Sequence, residues 1–402
     1  MRDLGLVVML LAVLSPAEPL KGRAVQTLDG RWLFREQAVQ GASVAGWVRE
    51  PAPDARATQV PSLWNCATAP SYHGTGWYWR TFETPSAWKD QNVRLFIHGV
   101  VGKGMCYLNG TLLGSVSSPY RPAQFDITKL IKWQEPNVLA IRVEAAAAGL
   151  GGIWKDVELV ASDEAHITGV LIVAEASGWV TARVDLENTS QKTGDAEVYL
   201  EVSELGQKKL VAETIQHVEV SPGRNRAELL LHVKKPHLWS PNAPFLYSAR
   251  VSFRQGRDIL DDVDTVFGFR EVRAEGGRIL INGAPMNIRW ATVTPLADGA
   301  PQTPCSDEYG TKEIEALRAK GFGGIWVAQG LLSDAALVAA DKEGMLIAEG
   351  SEAGISARDL VAVHGAHPSV AVWRASGIQE EDAFRAVDNS RPVLAVPPAE
   401  NP

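Results

Sequence analysis

A two-residue hydrophobic period runs from about residue 24 to about residue 272, with almost no helical periodicity beside it. Val93, Leu95 and Ile97 alternate with Arg94, Phe96 and His98, and Leu139, Ile141 and Val143 alternate with Ala140, Arg142 and Glu144. Strict alternation belongs to strands with one face on a core and the other toward solvent. Asn109-Gly110 stands between two strand-like runs and predicts a two-residue hairpin, because both turn positions need positive φ. From 163 onward Val180, Ala182, Val184 and Leu186 line one face, and the period returns at Ala196–Val202, Ala227–Val233 and Phe245–Phe253. Spaced strands over about 110 residues predict a small immunoglobulin-like sandwich. Its antibody-type inter-sheet disulfide is absent, since the chain has only Cys66, Cys106 and Cys305.

After about residue 273 the pattern becomes strand–helix–strand. Ser333 and Ser356 are placed to cap helices over Asp334–Glu343 and Ala357–His364, and Gly344 ends the first. Short apolar strands are expected at Gly324–Ala328, Met345–Ala348, Val370–Trp373 and Pro392–Val396. Repeated βα units imply a parallel sheet. About five strands fit before Pro402, whereas a closed eight-stranded barrel needs roughly 250 residues.

Composition narrows the function. Lys and Arg number 39 against 47 acids, a net charge of −8, which excludes a basic nucleic-acid platform. Leu4–Leu14 is an apolar run behind Arg2, followed by Ser15-Pro16-Ala17, so residues 1–17 predict a secretory signal peptide and a secreted or periplasmic product. The run is too short for a membrane span, and no later stretch is long enough. The sparse, odd cysteine count is no disulfide framework: Cys106 is expected in the core, with a Cys66–Cys106 bridge the alternative. No histidine or cysteine spacing resembles a metal site, and neither a metal nor a cofactor is expected. The 13 tryptophans exceed what packing comfortably explains. Asn109-Gly-Thr111 and Asn188-Thr-Ser190 fit the glycosylation pattern, although the first is better explained by its turn.

A series of motifs runs along the mature chain: Leu28-Asp29-Gly30-Arg31-Trp32, Val60-Pro61-Ser62-Leu63-Trp64, Tyr72 through Phe82, Leu108-Asn109-Gly110 with Phe125-Asp126-Ile127, Gly152-Ile153-Trp154, Leu238-Trp239-Ser240-Pro241, Gly268-Phe269-Arg270 and Ile281-Asn282-Gly283. In this order they resemble glycoside hydrolase family 2, the family of β-galactosidases, β-glucuronidases and β-mannosidases. The resemblance implies a jelly-roll sugar-binding-like domain at 18–162, the immunoglobulin-like sandwich at 163–272 and an incomplete TIM-barrel-like domain at 273–402.

Retaining glycosidases need two carboxyl groups about 5–5.5 Å apart, one of them a proton donor with a raised pKa. In the family the donor is the Glu of an Asn-Glu pair that follows HPSxxxWSxG. Here His367 through Trp373 keep that lead-in, but Gly377 and Ile378 fall on the Asn-Glu pair, and isoleucine transfers no proton. The strand that carries the nucleophile is not found before Pro402. No catalytic residue is therefore assigned; Glu349 and Glu380 are the fallback pair. Glu349, in a stretch resembling DELGLLVxDE, reads either as an acceptor for a sugar hydroxyl or as a structural partner of Arg289. Arg289, Trp326, Glu349 and Trp373 are the substrate-binding candidates, the indoles because flat rings suit sugar faces.

Three functions remain open to the sequence. One is a secreted, non-hydrolytic relative that binds a β-linked glycan or a partner through its β domains. Another is an active retaining β-glycosidase using Glu349 and Glu380. The last is a structural or interaction fragment that needs another chain, a protein partner or a second copy, to cover its open βα sheet.

Overall fold

A computed structural model describes residues 22–37, 46–64, 72, 74–145, 151–207, 209–294, 307–351 and 355–398. The apolar leader at 1–17, Cys66 and Cys305 lie outside the described residues. Three units follow one another: a jelly-roll sandwich, an immunoglobulin-like sandwich and a parallel βα unit of barrel type.

In the first unit a six-stranded antiparallel sheet contains Gly30–Glu36, Thr75–Phe82, Asn137–Glu144 and the hairpin Lys103–Leu108/Thr111–Val116. It faces a four-stranded sheet that contains Asn92–Ile97 and Val157–Ser162. The alternating apolar side chains meet between them: Val93, Leu95 and Ile97 from one sheet, Leu139, Ile141 and Val143 from the other. The opposite faces are less exposed than alternation predicts. Trp77, Trp79 and Ala140 are buried under Trp47 and Ala52 of the 46–55 segment, and the Trp79 indole N–H donates to the Trp47 carbonyl at 2.6 Å. Arg94 is also buried, its guanidinium donating to Ser162 Oγ at 2.7 Å. Cys106 is a free, buried thiol in a strand, and burial pushes it up to about 12.

The Asn109-Gly110 turn forms as its sequence demands, with φ of 52° and 85° and Leu108 opposite Thr111. Asn109 does more than turn the chain. Its Nδ2 donates to the Leu130 carbonyl at 3.1 Å and to Asn137 Oδ1 at 2.8 Å, and its Oδ1 accepts the Val138 N–H at 3.0 Å. Asn109→Ala is expected to cost about 1–3 kcal/mol, because it strains the turn and takes a partner from the Val138 N–H, the Leu130 carbonyl and Asn137 Oδ1. Urea unfolding checks this, and no change in the midpoint would contradict it. Asn188 is similarly committed: it is buried and donates to the carbonyls of Lys192 and Val220.

The second unit packs the sheet Ala165–Ala174, Trp179–Asn188, Gly223–His232 against a four-stranded sheet spanning Gly194–Glu204, Leu210–Val220, Tyr247–Gln255 and Asp258–Phe267. Val180, Ala182, Val184 and Leu186 meet Val198, Leu200, Val251 and Phe253 in its core. It is tied to the first unit by Asp261, which is fully buried, takes Arg23 in a two-pronged contact at 2.9 and 2.8 Å, and accepts the Ile167 N–H at 2.7 Å.

In the third unit five parallel strands lie in chain order: Trp290–Val293, Gly324–Val327, Leu346–Gly350, Val370–Arg374 and Val393–Leu394. The helices Asp307–Ala319, Asp334–Glu343, Ala357–His364 and Ile378–Arg385 intervene. Ser333 and Ser356 cap two of them, accepting the N–H of Ala336 and Asp359 at 3.2 Å each. Gly344 ends the first at φ 70°, where a Cβ would also stand 2.3 Å from the Pro241 carbonyl. The core between sheet and helices is shared: Leu63, Val101, Tyr120 and Trp154 of the first unit enter it beside Leu337, Ile347 and Leu360. The other face of the sheet, with Trp326, Leu346 and Ala348, packs on Trp239, Val272 and Ile279.

Candidate active site

In a βα unit of this type the C-terminal ends of the strands form the reaction face. Glu349 and Trp373 lie at that end, but period-two geometry decides where they point. Glu349 shares a face with Ile347, and Ile347 belongs to the core on the helix side. The carboxylate is fully buried and receives His364 Nδ1 at 2.6 Å. His364 Nε2 lies 3.7 Å from Asp334 Oδ1, which in turn takes Lys155 Nζ of the first unit at 2.8 Å. The expected pairing of Glu349 with Arg289 is therefore corrected. Arg289 precedes its strand and so stands at the N-terminal face of the sheet, exposed, donating to the Lys320 carbonyl at 3.1 Å and lying over the Phe322 ring.

Burial alone would depress His364, but the charge of Glu349, its hydrogen bond to the ring and the nearby Asp334 carboxylate outweigh it and raise the imidazole to about 9. Burial likewise opposes the ionised form of Asp334, and Lys155 with His364 overcomes it, so that carboxyl is held below the usual range. Its side chain is still 61% exposed, so water screens this arm and the Glu349–His364 contact carries more of the interaction.

The indoles are also placed differently from the sequence expectation. Trp373 is fully buried on the helix side, stacked on Phe384 at 5.2 Å with an 8° interplanar angle, its N–H on Asp388 Oδ2 at 2.8 Å and the Arg391 guanidinium 5.3 Å from its ring. Trp326 is 5% exposed on the opposite face, edge-on to Trp290 at 6.2 Å. Neither offers a free ring face to a sugar. Packing absorbs most of the tryptophan excess, since ten of the 13 are buried.

Ile378 opens the Ile378–Arg385 helix just beyond the Val370–Arg374 strand and is 77% exposed. Glu380 lies in the first turn. Its carboxylate accepts the Ser376 N–H at 2.7 Å, Ser376 Oγ at 2.6 Å and the Ser351 hydroxyl. Gly377 has no side chain with which to cap the helix, and Glu380 reaches back to do so in the manner of a capping box. Partial burial raises its pKa, but these hydrogen bonds outweigh that and hold the carboxyl below its usual range. The hydrogen-bond partners of Glu380 are these two serines, whereas Glu349 is held by His364. Sequence reasoning missed His364, Asp334 and Lys155, which continue the chain of charges from buried Glu349 to the partly exposed Asp334. The spacing of Glu349 from Ile347 was the signal for its direction; nothing local pointed to Lys155. Among the described residues no cluster of His, Cys, Asp or Glu could hold a metal ion.

Comparison with known proteins agrees with the architecture. The model for "Glycosyl hydrolases family 2, sugar binding domain" matches residues 25–164, and that for "Glycosyl hydrolases family 2" matches 163–270. A β-galactosidase from Yersinia pestis is 28% identical over 312 residues, covering 66% of this chain and 29% of the relative. One from Thermoanaerobacter pseudethanolicus is 24% identical over 235 residues, 54% of this chain and 31% of the relative. The chain thus spans less than a third of these curated relatives. Among solved structures, a Bacteroides uniformis β-glucuronidase superposes with TM-score 0.77 at 21% identity, covering 92% of this chain and 52% of that one. A Bacteroides fragilis putative β-galactosidase gives 0.79 at 20% identity, covering 93% and 63%. The chain belongs to glycoside hydrolase family 2, whose members are carbohydrate-active proteins. No helix among the described residues is long and apolar enough to cross a membrane.

Proposed function

We propose that this chain is an exported, non-hydrolytic member of the family that binds carbohydrate or a partner through its β-sandwich domains. The observation that carries the reading is the segment after the Val370–Arg374 strand. A proton donor is wanted there, and the chain supplies exposed Ile378, while the nearby Glu380 is used as a helix cap. A general acid needs a raised pKa; hydrogen bonding moves Glu380 the other way. Glu349 is consumed by His364 on the helix side of the sheet. Export rests on the apolar leader at Leu4–Leu14.

The test is turnover of aryl β-galactoside, glucuronide, mannoside, glucoside and glucosaminide by the folded chain, with Glu349→Gln and Glu380→Gln beside it. No turnover above the two variants is expected. Turnover that vanishes in either variant would make the protein a glycosidase with relocated carboxylates and overturn the proposal.

A further inference from the structure

All 13 tryptophans fall within the described residues, and Trp179 is the exposed one, at 43%. It opens the Trp179–Asn188 strand and stands directly opposite His232, the two rings 4.7 Å apart and tilted by 53°. The turn before it holds this pair in place. Gly178 has φ 95°, its carbonyl accepts the Val233 N–H at 2.9 Å, and a Cβ there would stand 2.2 Å from the Val233 carbonyl oxygen. His232 Nε2 is 3.2 Å from the Ser177 carbonyl, which fixes the imidazole beside the indole.

Just past His232 the chain presents Lys234 and Lys235. Both are exposed, and neither has an ion pair among the described residues. Lys235 adopts φ 50°, a left-handed conformation uncommon for a residue other than glycine or asparagine. His232, Lys234, Lys235 and Pro236 line one side of a cleft of about 590 Å³, and Ala176 and Ser177 of the turn line the other. The one carboxylate of that turn, Glu175, already accepts the Ser177 hydroxyl at 2.9 Å. Trp179 itself stands outside this lining and reaches the cleft through its cross-strand neighbour His232. In a chain of net charge −8, two unpaired ammonium groups on the cleft next to that pair are a local reversal of sign.

We infer that this end of the immunoglobulin-like sandwich is a binding site for an anionic sugar unit, carboxylated or sulfated. The indole offers an apolar face to the C–H face of a pyranose, and the two lysines meet its charge. Two point charges in one cleft, with an exposed indole next to its His232 wall, match one charged ring better than an extended acidic peptide. The inference rests on the carbohydrate-binding reading above and assigns it a place and a ligand class.

Titration calorimetry on the full chain tests it with β-linked hexasaccharides of three kinds, a neutral glucan, one containing uronate and one sulfated, and with hexaglutamate. The variants are Trp179→Ala and the double change Lys234→Glu, Lys235→Glu; both are at the surface, and their melting curves confirm folding. At least one charged hexasaccharide should bind, which of the two identifies the anionic group, and its affinity should fall roughly tenfold or more in each variant and also with added salt. Charged-sugar binding unaffected by the variants, or hexaglutamate binding as tightly, overturns the site. Neutral glucan binding that ignores both variants, with no preference for charge, sinks this site and leaves the broader reading standing. No binding of any of the three sugars overturns both this site and the carbohydrate-binding reading on which it rests, and leaves only the partner-binding one.

Discussion

Trp373→Ala is expected to lower the unfolding free energy by about 3–5 kcal/mol. Three contacts disappear together. The indole is fully buried between sheet and helices, so its removal leaves a cavity at the centre of the third unit. Its near-parallel stack on Phe384 is lost, and with it the main apolar anchor of the Ile378–Arg385 helix, whose one buried residue is Phe384. Its N–H no longer reaches Asp388, which also binds Arg391 and Ser390. Trp373→Phe keeps most of the ring and gives up that hydrogen bond, so it should cost about 1–2 kcal/mol. Urea unfolding followed by far-ultraviolet dichroism measures both. An alanine variant within ~1 kcal/mol of the parent would mean that this residue does not anchor the helix.

The second large effect is on pH dependence. In the folded chain His364 is raised to about 9 from an ordinary 6.5, so folding takes up a proton on this group. Its stabilisation is fully present below about pH 6.5 and is lost as the pH rises through about 9. A displacement of this size, at roughly 1.4 kcal/mol for each tenfold change in proton affinity, makes the loss across that window a few kcal/mol. Glu349→Gln keeps the shape but removes the attracting charge, so the decline between pH 6.5 and 9 should flatten. Glu349→Ala leaves His364 buried without its partner and should cost about 3–5 kcal/mol at neutral pH. A parent protein equally stable at both ends of this window would show that the imidazole is neutral in the fold.

The strands were legible because period-two alternation is enforced by burial of one face, as at Val93–Ile97 and Val180–Leu186. The caps at Ser333 and Ser356 and the Asn109-Gly110 turn were legible because backbone geometry there admits few residue types. What alternation could not reveal was a second covering layer, which buries Trp77 and Trp79 on the face expected to meet solvent. The candidate site was less readable still. Glu349 and Trp373 stand at the right end of the right strands, yet point to the helices, and their partners His364 and Asp388 come from 15 residues further on in each case. Arg289 fell at the opposite end of the sheet because the motif match placed it near a strand without saying which end. Trp179, which no motif singled out, emerged only once burial had sorted the other tryptophans.

Leu63, Val101, Tyr120 and Trp154 come from the first unit but belong to the core of the third, where the Tyr120 hydroxyl also accepts the Leu331 N–H at 3.1 Å. Synthesis proceeds from the N-terminus, so these side chains are in place before the parallel strands leave the ribosome. The finished jelly roll then acts as a mould for the last sheet, and the order of biosynthesis becomes part of how that sheet finds its helices.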